Sequence, residues 1–261
     1  MKKTITLMMA TMFVAVLIFS ACNRNNGDNK HEYPSTANVI RNAVKDVDGN
    51  KYDAVRIGNQ VWMAENLKTT HYSDGTEIPL GNQVSDSQGY RYYPMGSKSY
   101  VNSYGYLYNW VAVMHGESGS DANPSGVQGI CPKGWHVPSS AEWQELTASL
   151  KSNSIYISGG NEDHLAKAIC ATWGWDNCSE EDAPGNILTT NNASGFSAVP
   201  AGSVDQNGQV GGLGSDAEFW SSTDFTGIPN AVFYGVYYYI PRVNIGNFDK
   251  YEGLSVRCIQ D

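Results

Sequence analysis

Cys22, Cys131, Cys170, Cys178 and Cys258 have the widest chemical repertoire in this chain. A thiol can be acylated, oxidised to a disulfide, bound to a metal or used as a nucleophile. Cys22 stands apart from the other four. It follows Phe19-Ser20-Ala21, at the end of an apolar stretch over residues 5–19 that begins just behind Lys2 and Lys3. That stretch is shorter than the about 20 apolar residues a membrane span needs, and with its positive start it reads as a secretory signal peptide over residues 1–21. Small residues directly before a cysteine match a bacterial lipobox, with Phe19 where leucine is usual. Cleavage there leaves Cys22 as the first residue, with lipid on its sulfur. The other four are an even number in an exported chain, which argues for two disulfides and leaves three pairings open.

The remaining candidates point away from catalysis. His71, His115, His136 and His164 show neither H-x-x-x-H nor H-E-x-x-H spacing, so they read as single, satisfied or exposed histidines. There is no Gly-x-Ser-x-Gly elbow, no phosphate-binding glycine loop and no dinucleotide fingerprint. Glu142 and Glu145 read as a helix-surface pair and Glu180 and Glu181 as a loop pair, both solvated. Asp46-x-Asp48 begins like a calcium loop, but its glycine comes too early and no glutamate closes the pattern, so a tight turn is expected. The loop carboxylates Asp205, Asp216, Asp249 and Glu252 are the one reserve for a calcium site; otherwise no cofactor or metal is expected. Sixteen tyrosines and seven tryptophans remain. Flat apolar faces with polar edges stack on sugar rings or anchor protein partners, and Tyr234, Tyr237, Tyr238 and Tyr239 are the best local row.

Removing Lys2 and Lys3 with the signal peptide takes the net charge from −9 to −11, 15 basic against 26 acidic residues. So acidic a chain is a poor partner for nucleic acid or anionic lipid, and membrane attachment must come from the lipid on Cys22.

Several elements must position these residues. Residues 22–43 are polar and read as a flexible tether, and residues 44–261 as one domain. Asp48-Gly49-Asn50 and Gly58-Asn59 predict two successive hairpins. Ser139 and Glu142 form a capping box, and Trp143, Leu146 and Leu150 share one face of the helix that follows. A second short helix is expected at about 162–172. The dense run YGYLYNWVAVM, residues 104–114, is a buried helix or strand, and periodicity does not say which. Four C-terminal strands are expected from FSAVPAG, AEFWSST, AVFYGVYYYIPRV and GLSVRCIQD. Residues 232–240 are apolar on both faces and should be covered on both. Long glycine-, serine- and asparagine-rich connections lie at about 74–103, 115–130 and 176–195, lengths that need a reason in a compact domain.

DVDGNKYDAVRIGNQVWMAENLKT (46–69), YGYLYNW (104–110), GICPKGWHVPSSAEW (129–143), SGFSAVPAG (194–202), FWSST (219–223) and GLSVRCIQD (253–261) occur in the family's order, and together the chain resembles the Fibrobacter succinogenes major paralogous domain family. That family is similar to a distant branch of the C-type-lectin-like fold. The resemblance therefore implies an α+β, loop-rich, disulfide-stabilised domain, mostly antiparallel, with two helices and adjoining terminal strands. It implies Cys131 paired with Cys258, and Cys170 with Cys178. The helix after GWHVPSSAEW is also similar to one in formylglycine-generating enzymes, which hold copper between two reactive thiols. Here no basic residue is evident near Cys170 or Cys178 to activate them. The calcium-ligating triplet of sugar-binding C-type lectins is missing, and Trp220-Ser221-Ser222 stands where those proteins carry ligands.

The expected function is a lipid-anchored outer-membrane protein, facing the periplasm or the surface, that binds a glycan or an envelope protein without catalysis. A structural subunit of a surface assembly such as a fimbrial tip is the alternative, and a formylglycine-generating-like enzyme comes third.

Overall fold

The computed structural model describes residues 33–225 and 227–261. The signal peptide and Cys22 lie outside the described residues. The expected tether ends earlier than residue 43, because strand β1 (Asn38–Lys45) already pairs antiparallel with β2 (Lys51–Ile57). Val39 and Ile40 supply the β-branched pairing residues that a reading of the segment as merely polar overlooks. Gly58, at φ 58°, makes the tight turn from β2 into β3 (Gln60–Met63), so both expected hairpins form.

The run at 104–114 is both strand and helix. After β4 (Arg91–Tyr92) and the short α1 (Val101–Tyr104), residues Leu107–Asn109 form β5, and Asn109 then caps α2 (Trp110–Met114) through its side chain. The two-residue β6 (Trp135–His136) leads to α3 (Ser140–Lys151). There Ser139 accepts from the Glu142 amide while the Glu142 carboxylate accepts from the Ser139 amide, the full capping box. The short helix expected at about 162–172 is a single turn, α4 (Ala166–Ile169), so the described residues hold four α-helices where two were expected. Beyond it come β7 (Ala201–Val204), β8 (Val210–Leu213), β9 (Asp216–Asp224), β10 (Asn230–Tyr237), β11 (Asn244–Asp249), β12 (Gly253–Leu254) and β13 (Ile259–Gln260). The architecture is mixed α/β with three sheets, ordered β1-β2-β3-β13-β6, β11-β10-β9 and β4-β5-β12-β7-β8, and its named strands pair antiparallel throughout.

In the first sheet the C-terminal strand β13 inserts between β3 and β6, so residues from the two ends of the domain are neighbours. The sheets bury both faces. Tyr52 and Ala54 of β2 face one apolar cluster and Val55 and Ile57 the other; on β10, Ala231 and Phe233 face the first and Val232, Tyr234 and Val236 the second. The segment at 232–240 is thus covered on both sides as far as Val236, after which Tyr239 emerges, 51 % exposed. Trp143 of α3 is the hub of the second cluster. Its ring stacks on Tyr234 at 5.0 Å and lies 4.7 Å from Trp62 and 5.7 Å from Phe219.

Cys131 and Cys258 form a disulfide across 127 residues, joining the loop before β6 to the segment before β13. The expected Cys170–Cys178 bridge is absent, and both thiols are free. Cys170, at the end of α4, is held inside the second cluster, whereas the Cys178 thiol donates to the Tyr238 carbonyl at 3.2 Å. Backbone geometry, and not nearness in sequence, decides this pairing.

Candidate functional site

An apolar cleft of about 300 Å³ lies between α3 and the β10–β11 hairpin. Gln144, Thr147 and Lys151 line one wall because they sit on α3 beside the buried Trp143, Leu146 and Leu150 stripe. Tyr234, Leu165, Val243 and Ile245 supply the apolar surface, and Asp163 and Arg242 the opposite rim. Tyr234 is held flat by Trp143 and by its hydroxyl, 2.9 Å from Ser140 Oγ; burial raises its pKa. Lys151 Nζ donates to Asp163 at 2.6 Å across one end. Ile245 is 60 % exposed at the mouth, an apolar surface open to a ligand. An amide, a hydroxyl, an ammonium, a carboxylate and a guanidinium around an apolar floor can hold a ring by its face and its substituents by hydrogen bonds.

The four candidate tyrosines are not one row. Tyr234 is the floor of the cleft. The Tyr237 hydroxyl donates to Glu218 at 2.7 Å, and burial together with that carboxylate pushes its pKa far up. Tyr238 packs against the second cluster, and only Tyr239, edge-on to it at 5.0 Å, stands clear. Alternation along β10 sends Tyr234 and Tyr237 to opposite faces, and the strand ends at Tyr237.

The thiols have a basic neighbour that the sequence reading overlooked. Lys167 lies one turn before Cys170, and its charge favours the thiolate there, but burial outweighs it and drives the Cys170 pKa well up. Lys167 itself is pushed down by burial and donates to the Asn186 carbonyl and, at 2.8 Å, to Thr190.

Of the four carboxylates expected in loops, Asp216 instead begins β9 and Asp249 ends β11; Asp205 and Glu252 do lie in loops. Asp205 accepts from the amides of Asn207 and Gln209, both at 2.8 Å, and Asp249 accepts from the Tyr251 hydroxyl at 2.6 Å. Burial raises the pKa of Asp216, and burial with the charges of Asp249, Glu218 and Asp205 lifts Glu252 to about 7. Among the described residues no group of three or more His, Cys, Asp or Glu side chains could hold a metal ion.

Glu142 does not lie on the helix surface as expected. It is 2 % exposed, and its Oε1 is 2.7 Å from His136 Nε2. The other ring nitrogen of His136 is 2.7 Å from Asp261. Burial opposes a charge on this ring, but the carboxylates of Glu142 and Asp261, one at each ring nitrogen, outweigh it and raise the pKa. A histidine six residues ahead of an N3 glutamate was the available signal. Arg257 was also missed: fully buried, it donates to Asn66 Oδ1 and to the carbonyls of Met63, Phe196 and Ser197 at 2.6–2.9 Å, and lies over the Phe196 ring.

A second, polar cleft of about 290 Å³ is lined by Asp74, His115, Glu117 and Lys133 among others. His115 stacks flat on Tyr72 at 3.6 Å, with Nε2 3.9 Å from Asp74. These mixed charges lack a positioned nucleophile: Ser73, at the rim, gives its hydroxyl hydrogen to the Cys131 carbonyl.

The family model of the Fibrobacter succinogenes major domain matches residues 55–260. No curated protein and no solved structure matches the chain.

Proposed function

The chain belongs to the Fibrobacter succinogenes major domain family, and on that premise we propose that it is a lipid-anchored protein of the outer membrane that binds glycan without catalysis, in the cleft between α3 and β11. One observation carries this reading: exposed Ile245 and the buried face of Tyr234 share a cleft with five hydrogen-bonding side chains, Gln144, Thr147, Lys151, Asp163 and Arg242. A sugar ring offers an apolar face and a rim of hydroxyls, which is the complement of that surface. The loop-rich frame and the pairing of β3 with β13, which sets the two ends of the domain side by side, support a C-type-lectin-like fold. Anchoring rests on the lipobox at Cys22. The non-catalytic reading draws on the thiols: one is linked to another for architecture, and Cys170 is buried with a raised pKa.

The test is a glycan array read with purified protein, followed by titration calorimetry on any hit. Saturable binding that Ile245→Asp and Arg242→Ala both abolish, while Tyr237→Ala leaves it intact, is expected. A protein silent on every glycan, or one whose binding survives both cleft substitutions, overturns the assignment. Protease shaving of intact cells tells a surface-facing from a periplasm-facing anchor.

A further inference from the structure

The outer edges of the three sheets are not alike. Strand β1 is broken by a register shift between Ile40 and Val44, with Asn42 at φ 50°, and it carries Arg41. Strands β4 and β6 are two residues each, and β8 is four residues with two glycines. These are devices that keep an edge from recruiting another strand. Strand β11 has none of them. It pairs with β10 through all six residues without a bulge, contains neither lysine nor proline, and lies at the outside of its sheet.

The direction of its free groups follows from the register. Lys250 donates its amide to Pro229, its directly opposite residue, so alternation turns the amides and carbonyls of Phe248, Gly246 and Asn244 inward as well. Those of Ile245 and Asn247 and the amide of Asp249 point away from the sheet, while the Asp249 carbonyl accepts from the Glu252 amide in the turn that follows. The two ends of this edge differ in charge: Arg242 lies at its beginning beside the Lys151–Asp163 ion pair, and Asp249 and Glu252 lie at and beyond its end, where Lys250 is paired with Asp224.

We propose that β11 pairs antiparallel with β11 of a second copy of this chain, about a two-fold axis through Asn247. This register joins outward-facing groups only, setting Ile245 of each copy opposite Asp249 of the other and forming about four main-chain hydrogen bonds between groups that are free in the single chain. It also carries the acidic turn that follows each strand toward the end of its mate where Arg242 lies. The two three-stranded sheets become one of six strands. The inference does not depend on a glycan in the cleft, since its readout is molecular mass.

Sedimentation equilibrium of the full chain in mild detergent, with and without added salt, tests it. A monomer–dimer equilibrium that weakens with salt is expected. Asn247→Pro, which removes an outward amide, should give monomer at concentrations where the parent dimerises. Arg242→Glu and Glu252→Arg should each weaken dimerisation about 10-fold or more, and the double variant should recover most of the loss. The two charge variants keep the test valid if the proline variant fails to fold. A chain monomeric at every concentration, a dimer untouched by these substitutions, or a double variant that does not recover overturns the proposal.

Discussion

Two regions of the molecule handle buried polar groups in opposite ways. Where β13 enters the first sheet, buried charges are held by hydrogen bonds: the Arg257 guanidinium donates to four neutral oxygens, although burial still pulls its pKa down to about 9, and His136 lies between Glu142 and Asp261. Around the β9–β11 sheet, carboxylates crowd one another. Asp216, Glu218 and Glu252 all have raised pKa values, first from burial and also from neighbouring acids. In the frame that joins the ends of the domain each buried charge has several hydrogen-bond partners, whereas acids gather near one another in the half that carries the cleft and the open edge. Stability is not uniform across a structure, and surfaces used for binding come from its less stable part.

The largest expected effect of breaking this contrast is at the disulfide. In the chain-entropy model, a bridge across 127 residues stabilises by about 5 kcal/mol. Cys131→Ala with Cys258→Ala should lower the urea-unfolding free energy by up to that amount. Alkylation of the unfolded, unreduced chain should label Cys170 and Cys178 and spare Cys131 and Cys258. Labelling of the latter pair would remove the frame from this comparison.

Next comes Arg257→Met. It strands one side-chain and three backbone oxygens in the core, and each buried acceptor left without a donor costs about 1–3 kcal/mol, so a loss of about 3 kcal/mol or more is expected. Arg257→Lys should recover little, because an ammonium has three donors and cannot span the planar fork. Chemical denaturation measures both. Ser139→Ala, which removes one half of the capping box, should cost about 1 kcal/mol in the same assay.

What the sequence disclosed follows the range of each signal. The hairpins and α3 are encoded within a few residues, by Asp48-Gly49-Asn50, Gly58-Asn59 and Ser139-x-x-Glu142, and they form where expected. Strands β8 and β11 were not foreseen: VGGL and NIGNFD carry little β-branched or alternating apolar signal, and their pairing partners make them strands. The Cys170–Cys178 expectation followed the resemblance; the short turn of α4 instead turns one thiol into the core. The cleft was the least legible feature. Its walls come from residues 144–151, 163–165 and 234–245, which share no local pattern, and of the four tyrosines proposed only Tyr234 faces it. The burial of Glu142 was hidden for the same reason: a capping box fixes the backbone around a glutamate without saying what packs over it.

A smaller effect separates the two regions by pH. An unfolded glutamate titrates near 4.5 and Glu252 in the fold near 7, so between these values the folded chain holds the extra proton and gains stability as pH falls. The His136 imidazolium acts in the same direction: with a pKa raised above 6.5, its contribution is complete below that value and is lost as pH rises through the folded one. Thermal unfolding should therefore give a higher Tm near pH 6 than near pH 8. Glu252→Gln should raise Tm at the higher pH and flatten the profile, while His136→Gln should lower Tm mainly at the lower pH. Opposite outcomes would mean that the acidic crowding is relieved in solution.

The smallest stability effect is expected at Ile245, and it gives the sharpest separation of the two regions. The side chain is 60 % exposed, its amide and carbonyl point away from β10, and no buried group depends on it, so Ile245→Asp should shift unfolding by no more than about 0.5 kcal/mol. The same substitution puts a carboxylate at the mouth of the cleft, where a sugar's apolar face would need a hydrocarbon surface, and glycan binding should disappear. Arg257→Met should do the reverse in a protein still folded at low temperature, lowering stability while leaving affinity within a few-fold. If Ile245→Asp unfolds the domain, the β11 region is part of the structural frame and the division between frame and binding surface is wrong.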